Sequence, residues 1–235
     1  MCLWKIYIAR SICRVTARAV ADDTITALRL WYDIQKIRTA ICTAKTTQGA
    51  FGMKKPFEIG IMVGRFQTFH IGHEYMIDKA VQLCERVGIF VGSSQESGTL
   101  KNPFSYETRE QILRKVFGNQ IDIFPLPDIG VGNTAKWGEY VLANVKERFG
   151  RTPDLLVSGK EERRISWFDS AAGASIAELY VPKTIDISAT QMRSFLIGND
   201  FESWKRYTNP ALWEDYPRLR SIVLASKENL NTDSI

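Results

Sequence analysis

The sequence predicts an α/β fold, a Rossmann-like open parallel sheet with helices on both faces, followed by C-terminal helices. Three observations predict it. Short apolar runs alternate with segments whose apolar residues recur at helical spacing, the pattern of strand–helix–strand units. The 235 residues are 45% hydrophobic and 24% charged, enough apolar side chain for a sizeable core. The first apolar run ends at a glycine, and the loop after it carries the only two histidines of the chain, His70 and His73.

Taken in order, Ile59, Ile61, Met62 and Val63 form a strand of the kind buried on both faces, and Gly64 ends it. A helix follows from about His73 to Arg86, with Ile77, Ala80, Val81 and Cys84 on its core face. Ile89 to Val91 reads as a second strand. Tyr106 to Phe117 is helical, with Ile112, Leu113, Val116 and Phe117 on one side and Gly118 placed to stop it. Ile121 to Phe124 supplies a third strand, and Trp137 to Arg148 a further helix. Leu155 to Val157 and Ile176 to Val181 complete the strands. Beyond these, Asp200 and the Asn209-Pro210 pair are helix-start signals. The chain thus divides into an N-terminal segment 1–52, an α/β domain 53–200 and a helical tail 201–235 that packs on it.

Every apolar run is broken well short of the eighteen or so residues a membrane-spanning helix needs. Residues 1–52 hold eight Lys and Arg against three Asp and Glu, so the formal charge of +5 belongs entirely to that segment. The remainder carries 23 of each sign and gives no compositional reason for nucleic-acid binding. Cys2, Cys13, Cys42 and Cys84 show no paired spacing, which disfavours a disulfide framework or zinc cluster and suits a reducing, cytoplasmic compartment. Segment 1–52, rich in Arg and free of Glu and Pro, also has the character of an organelle-targeting presequence. The favoured expectation is that Met53-Lys54-Lys55 is the natural start and that the upstream residues are an appended arm.

In an open parallel sheet, ligands sit at the carboxyl ends of the strands, where loops lead into helix N-termini. The loop after the first strand reads Gly64-Arg65-Phe66-Gln67-Thr68-Phe69-His70-Ile71-Gly72-His73. Two imidazoles flanking a glycine at a helix start place donors beside backbone N–H groups that favour an anion. Gly72 offers no side chain to keep a phosphate away, and Arg65 adds a fork-shaped cation suited to phosphate oxygens. Far downstream stands Ile187-Ser188-Ala189-Thr190-Gln191-Met192-Arg193. There Ser188 is a natural N-cap, Thr190 lies in the first turn and Arg193 follows, so hydroxyls, N–H groups and a guanidinium can converge on phosphates.

With His-x-Gly-His and Ile-Ser-x-Thr-x-x-Arg in this order, the chain resembles the nucleotidyltransferase superfamily that carries both. Within it, the closer likeness is to archaeal-type nicotinamide-nucleotide adenylyltransferases, over roughly residues 57 to 200. That likeness rests on Gly64-Arg65-Phe66-Gln67, Gly92-Ser93-Ser94-Gln95, Asn102-Pro103-Phe104, Arg109, Pro127-Asp128-Ile129, Asn133 and Trp137. The resemblance implies adenylyl transfer from ATP to nicotinamide mononucleotide, forming NAD and releasing pyrophosphate. His70, His73 and Arg193 would be catalytic, gripping the ATP phosphates. Gly64, Arg65, Phe66, Gly72, Ser188, Thr190, Gly159 and Lys160 would bind the nucleotide. Asn102, Arg109 and Trp137 would hold the acceptor, with Trp137 stacked on the nicotinamide ring. Mg2+ would ride in with ATP, since no local cluster of carboxylates suggests a protein-built metal site.

Thr68, Gly98 and the run Ser158-Gly159-Lys160-Glu161 depart from the family pattern. Acceptor and base therefore stay open to a pantetheine-phosphate adenylyltransferase or a small cytidylyltransferase, and a non-catalytic nucleotide sensor is the reading from another class. A homo-oligomer is also left open. Histidines three apart could bind a metal with Glu74, but no third ligand group has a recognisable spacing. Gly130-Val131-Gly132-Asn133-Thr134-Ala135 fits a dinucleotide-binding pattern, yet Pro125 and Pro127 break the strand that should precede it, so it reads as a loop. Glu161-Glu162-Arg163-Arg164 reads as a solvated turn, and Trp204, Trp213 and Tyr216 as packing residues of the tail.

Overall fold

The computed structural model describes residues 54–159, 167, 168, 173 and 175–232. The expectations for segment 1–52, for Lys160 and for Glu161-Glu162-Arg163-Arg164 lie outside the described residues. Five strands, β1 (Phe57–Gly64), β2 (Cys84–Gly92), β3 (Asp122–Leu126), β4 (Leu155–Ser158) and β5 (Ala177–Tyr180), form one sheet in the order β3-β2-β1-β4-β5. Every pairing is parallel. The chain steps from β1 outward to β3, then crosses back to build β4 and β5 on the other side of β1. That reversal opens a crevice beyond the carboxyl ends of β1 and β4, where loops diverge to opposite faces.

The helices are α1 (Ile71–Leu83), α2 (Tyr106–Phe117), α3 (Ala135–Phe149), α4 (Ala189–Ile197), α5 (Phe201–Arg206) and α6 (Tyr216–Thr232), with a 3-10 turn at Pro210–Asp215 before α6. Strand residues alternate between two cores, as period-two side chains must. Ile59, Ile61, Phe90 and Leu156 pack beneath Val141, Leu142 and Val145 of α3. Met62, Val87, Ile89 and Val157 face the other way, into Ile77 and Ala80 of α1 and Leu113 and Phe117 of α2. Helices thus cover both faces. Met192 and Leu196 of α4 extend this second core, and Trp204, Leu212, Tyr216 and Val223 of the tail close over it. Each such side chain contributes roughly 1.5–3 kcal/mol by leaving water, so the tail is an integral layer. Among the described residues no helix is long and apolar enough to cross a membrane.

Two expectations are corrected. The first helix ends at Leu83, and Cys84 opens β2 instead of continuing the helix to Arg86. The reason is a partner the sequence pattern does not display: β1 begins at Phe57, and its ladder pairs Phe57 with Cys84 and Ile59 with Arg86. The buried thiol fits there because Gly60 faces it, where a Cβ would lie 2.3 Å from the sulfur. Pro125, taken as a strand breaker, lies inside β3. As β3 is at the sheet edge, the missing N–H of proline costs no ladder bond.

Candidate active site

Strand β1 delivers the first loop directly into the crevice. Phe66 adopts a left-handed backbone (φ 53°) and lays its ring over Gly64, where a Cβ would come within 3.0 Å of it. Only a residue without a side chain leaves that ring its place. The buried Gln67 then fastens the loop to the chain at Phe104: its Nε2 donates to the Phe104 carbonyl at 2.7 Å, and the Phe104 N–H donates to its Oε1 at 2.9 Å.

His70 is the N-cap of α1, and its Nδ1 accepts the Gly72 N–H at 3.2 Å, which places the ring proton on Nε2. The His70 and His73 rings stack with centroids 3.9 Å apart, and Phe66 and Phe69 flank His73. Burial, and then the charge of Lys183, push His70 down to about 4. Burial, and then His70, hold His73 well below the usual histidine range. Both rings are therefore neutral at pH 7, and His70 presents an N–H donor without a fixed charge.

Fixed charge comes from the second motif and the loops beside it. Ser188 caps α4, its Oγ accepting the Gln191 N–H at 3.2 Å, and Arg193 lies one turn further on. Arg193 donates from one terminal nitrogen to the Gln67 carbonyl and from the other to Thr190 Oγ1 at 3.1 Å. The bond to Gln67 spans 126 positions and brings the two motifs together at one place. Burial, and then the like charge of Arg65, lower the Arg193 pKa, as two guanidiniums facing one space must do.

The space they face is a cleft of about 750 Å³, within the size range of small-molecule sites. Gly64, Arg65, Phe66, His70, Gly72 and His73 line it from the first motif, and Ser188, Thr190 and Arg193 from the second. Gly159 lines it at the exit of β4, and Trp137 forms part of the far wall from the first turn of α3. Trp137 is half-buried, tilted against Tyr140 with centroids 5.5 Å apart. Of the run 130–135 read as a loop, 130–134 is one, with Gly132 and Asn133 on the cleft, while Ala135 opens α3.

Two predicted acceptor residues do not line the cleft. Arg109 is fully buried, and its guanidinium donates to the carbonyls of Gly92 at 2.8 Å, Arg65 at 3.1 Å, and Ser93 and Ser105 at 3.2 Å. Burial pushes its pKa down to about 10, so it stays charged at neutral pH. Asn102 is buried as well; its Nδ2 donates to Glu96 and its Oδ1 accepts a long 3.5 Å bond from Arg65. One further expectation needs correcting. The N–H groups at the start of α1 are already paired: Ile71 donates to the Tyr207 carbonyl at 2.8 Å, Gly72 to His70, and His73 and Glu74 to the His70 carbonyl. A buried helix start must satisfy these donors within the chain, so side chains, not this backbone, face the cleft as free donors.

Sequence reasoning missed Lys183 and gave Gln67 and Asp128 no role at the site beyond their part in the family likeness. Lys183 lies in the loop after β5 and lines the cleft; its place at a strand's carboxyl end was a usable signal. Among the described residues, Asp128 is the acidic residue on the cleft wall, and no group of three or more His, Cys, Asp or Glu could hold a metal ion. Cys84 is buried and burial pushes its thiol up to about 11, so it supplies no thiolate. Neutral imidazoles, the three cations Arg65, Lys183 and Arg193, and an aromatic wall around one cleft can bind a polyphosphate and stabilise charge that builds on it.

The chain is similar to known proteins. The Cytidylyltransferase-like family matches residues 61–195. The nicotinamide-nucleotide adenylyltransferase of Aeropyrum pernix is 38% identical over 171 residues, covering 69% of this chain and 88% of that protein. The enzyme of the same name from Pyrococcus horikoshii is 39% identical over 168 residues, covering 69% and 84%. The match to the one from Saccharolobus solfataricus, 39% identical, spans half of that protein's length. Among solved structures, a bifunctional NMN adenylyltransferase/ADP ribose pyrophosphatase from Francisella tularensis superposes with a TM-score of 0.61 at 22% identity. It covers 76% of this chain and 55% of that one, and supports the fold.

Proposed function

The chain belongs to the nicotinamide-nucleotide adenylyltransferases of the cytidylyltransferase-like family, and from that premise we propose that it transfers the adenylyl group of ATP to nicotinamide mononucleotide. One observation carries the reading: Arg193 of the second motif bonds the Gln67 carbonyl of the first, so both motifs surround a single cleft. An oxygen of the acceptor's phosphate attacks the α-phosphorus of ATP while the bond to the β-phosphate oxygen breaks in line, and pyrophosphate leaves with the electron pair. Such transfers ask for alignment and for donors placed where charge builds.

His70 and His73 serve the transferring phosphate. As neutral rings they lend hydrogen bonds without holding the anion so tightly that product cannot leave. Arg193, with Ser188 and Thr190 at the start of α4, takes the departing pyrophosphate. Arg65 and Lys183 add charge at the rim. Gly64 and Gly72 make room, the first for the Phe66 ring and the second for the His70 ring, whose atoms lie 3.0 Å from where a Cβ would stand. Gly159 leaves space on the adenosine side, and Trp137 stacks on the nicotinamide. Asn102 and Arg109 act on the acceptor side through the loops they hold, Arg65 among them. A divalent ion, Mg2+, arrives with ATP as part of the substrate and screens its phosphates. The unpaired cysteine pattern accords with a cytoplasmic site of action.

The test is pyrophosphate release with ATP or CTP crossed against nicotinamide mononucleotide, its deamidated form and phosphopantetheine. ATP with a pyridine mononucleotide is expected to be the best pair. A preference for CTP, or for phosphopantetheine, would sink the substrate reading.

A further inference from the structure

We propose that the tail corner Tyr207–Asn209 is a brace that holds the two phosphate motifs in register, with Asn209 and Glu74 as positioning residues for the histidine pair. The proposal rests on the reading of the cleft as the reaction site, but on different contacts. The Tyr207 carbonyl accepts the N–H of Ile71, the first residue of α1 and the one between His70 and Gly72. Two residues on, Asn209 Nδ2 donates to Glu74 Oε1 at 2.8 Å. Glu74 is 2% exposed and adjoins His73 in the first turn of α1. The Tyr207 ring meanwhile stacks on Phe195 of α4, two residues beyond Arg193, with the planes 9° apart. One short segment therefore grips the helix that presents the imidazoles and the helix that presents the guanidinium.

The corner is itself anchored. Thr208 is fully buried and its Oγ1 donates to the Trp204 carbonyl at 3.2 Å, while Asn209 Oδ1 accepts the Ala211 N–H at 2.9 Å and caps the 3-10 turn. Asn209 thus uses each end of its amide for a different purpose, the oxygen to fix itself to the tail and the nitrogen to reach α1. That division makes the two roles separable by mutation. Serine in its place can still cap the turn but is too short to reach Glu74.

In the full chain, Asn209→Ser and Asn209→Ala are both expected to lower kcat on the order of tenfold, as small misplacement of aligned groups does, with KM for the mononucleotide nearly unchanged. Glu74→Gln, whose Oε1 can still accept from Asn209, is expected to retain more of kcat than Glu74→Ala. A readout without substrate accompanies these. The chain has two histidines, both in the motif, so the imidazole proton resonances report on it alone. In Asn209→Ser their titration is expected to move up toward the ordinary histidine range as the turn loosens. If Asn209→Ser keeps wild-type kcat and histidine titration, the brace is refuted and Asn209 is a cap only. If the wild type shows no transfer to nicotinamide mononucleotide but Asn209→Ser still shifts the histidine titration, the substrate reading fails and the brace stands.

Discussion

The two sides of the cleft use arginine in opposite ways. On the α2 side, Arg109 is fully buried with its donors on four backbone carbonyls. On the α1–α4 side, Arg193 is half-buried with donors to one carbonyl and one hydroxyl, and it faces two imidazoles and a second guanidinium across open space. One side is closed, holding the loops after β1 and β2 in shape. The other is open, leaving polar groups for a ligand to complete. The contrast teaches that a residue can carry a family signature either by touching substrate or by building the wall that does.

The largest effect should come from the closed side. Arg109→Met takes from the carbonyls of Arg65 and Gly92 the donor that Arg109 supplies, while Ser93 keeps the Glu96 N–H, so unfolding in urea should show a loss of about 4 kcal/mol. A variant with wild-type stability and only a raised KM for the mononucleotide would break the comparison and return Arg109 to the acceptor. Next comes the proton linkage of the open side. His70 is held at about 4 when folded and near 6.5 when unfolded, so between those values the unfolded chain binds the extra proton. Stability is full above about pH 6.5 and falls by about 3 kcal/mol as pH drops to 4, with His73 acting in the same direction. Denaturation midpoints followed against pH should show that slope in the wild type and a shallower one in His70→Gln; equal slopes would mean that His70 is not held neutral by its surroundings. The smallest effect in free energy should be that of Arg193→Ala or His73→Ala. Each should lower kcat about a hundredfold, the equivalent of about 2.7 kcal/mol. Unchanged turnover in both would remove the open side from the chemistry.

Much of this was legible from local pattern. Strand β1 and the Ser188 cap need only nearby residues, because an apolar run and a hydroxyl three residues from an N–H act over one or two turns, whereas the helix read from about His73 begins at Ile71 under a His70 cap that local pattern did not assign. Cys84 was misplaced because helix and strand spacing agree over so short a run, and the deciding contact, Phe57 of β1, lies 27 positions away. Pro125 was misplaced because only sheet order reveals an edge. The contact between Asn209 and Glu74 carried no signal. An asparagine before proline is an ordinary cap, and nothing in 134 intervening residues says that its other end will reach a buried carboxylate.

The sequence by itself determined which chemical groups are available and the alternation of strand and helix that brings loops to one edge of a parallel sheet, since both follow from residue type and periodicity. Tertiary structure alone decided which of those groups remain open to a ligand. Hydrogen-bond donors are filled by whatever acceptor the folded chain brings within about 3 Å, and that depends on segments far apart in order. Thus Arg109 and the Ile71 N–H are closed off, while Arg193 and the histidine pair still face the cleft.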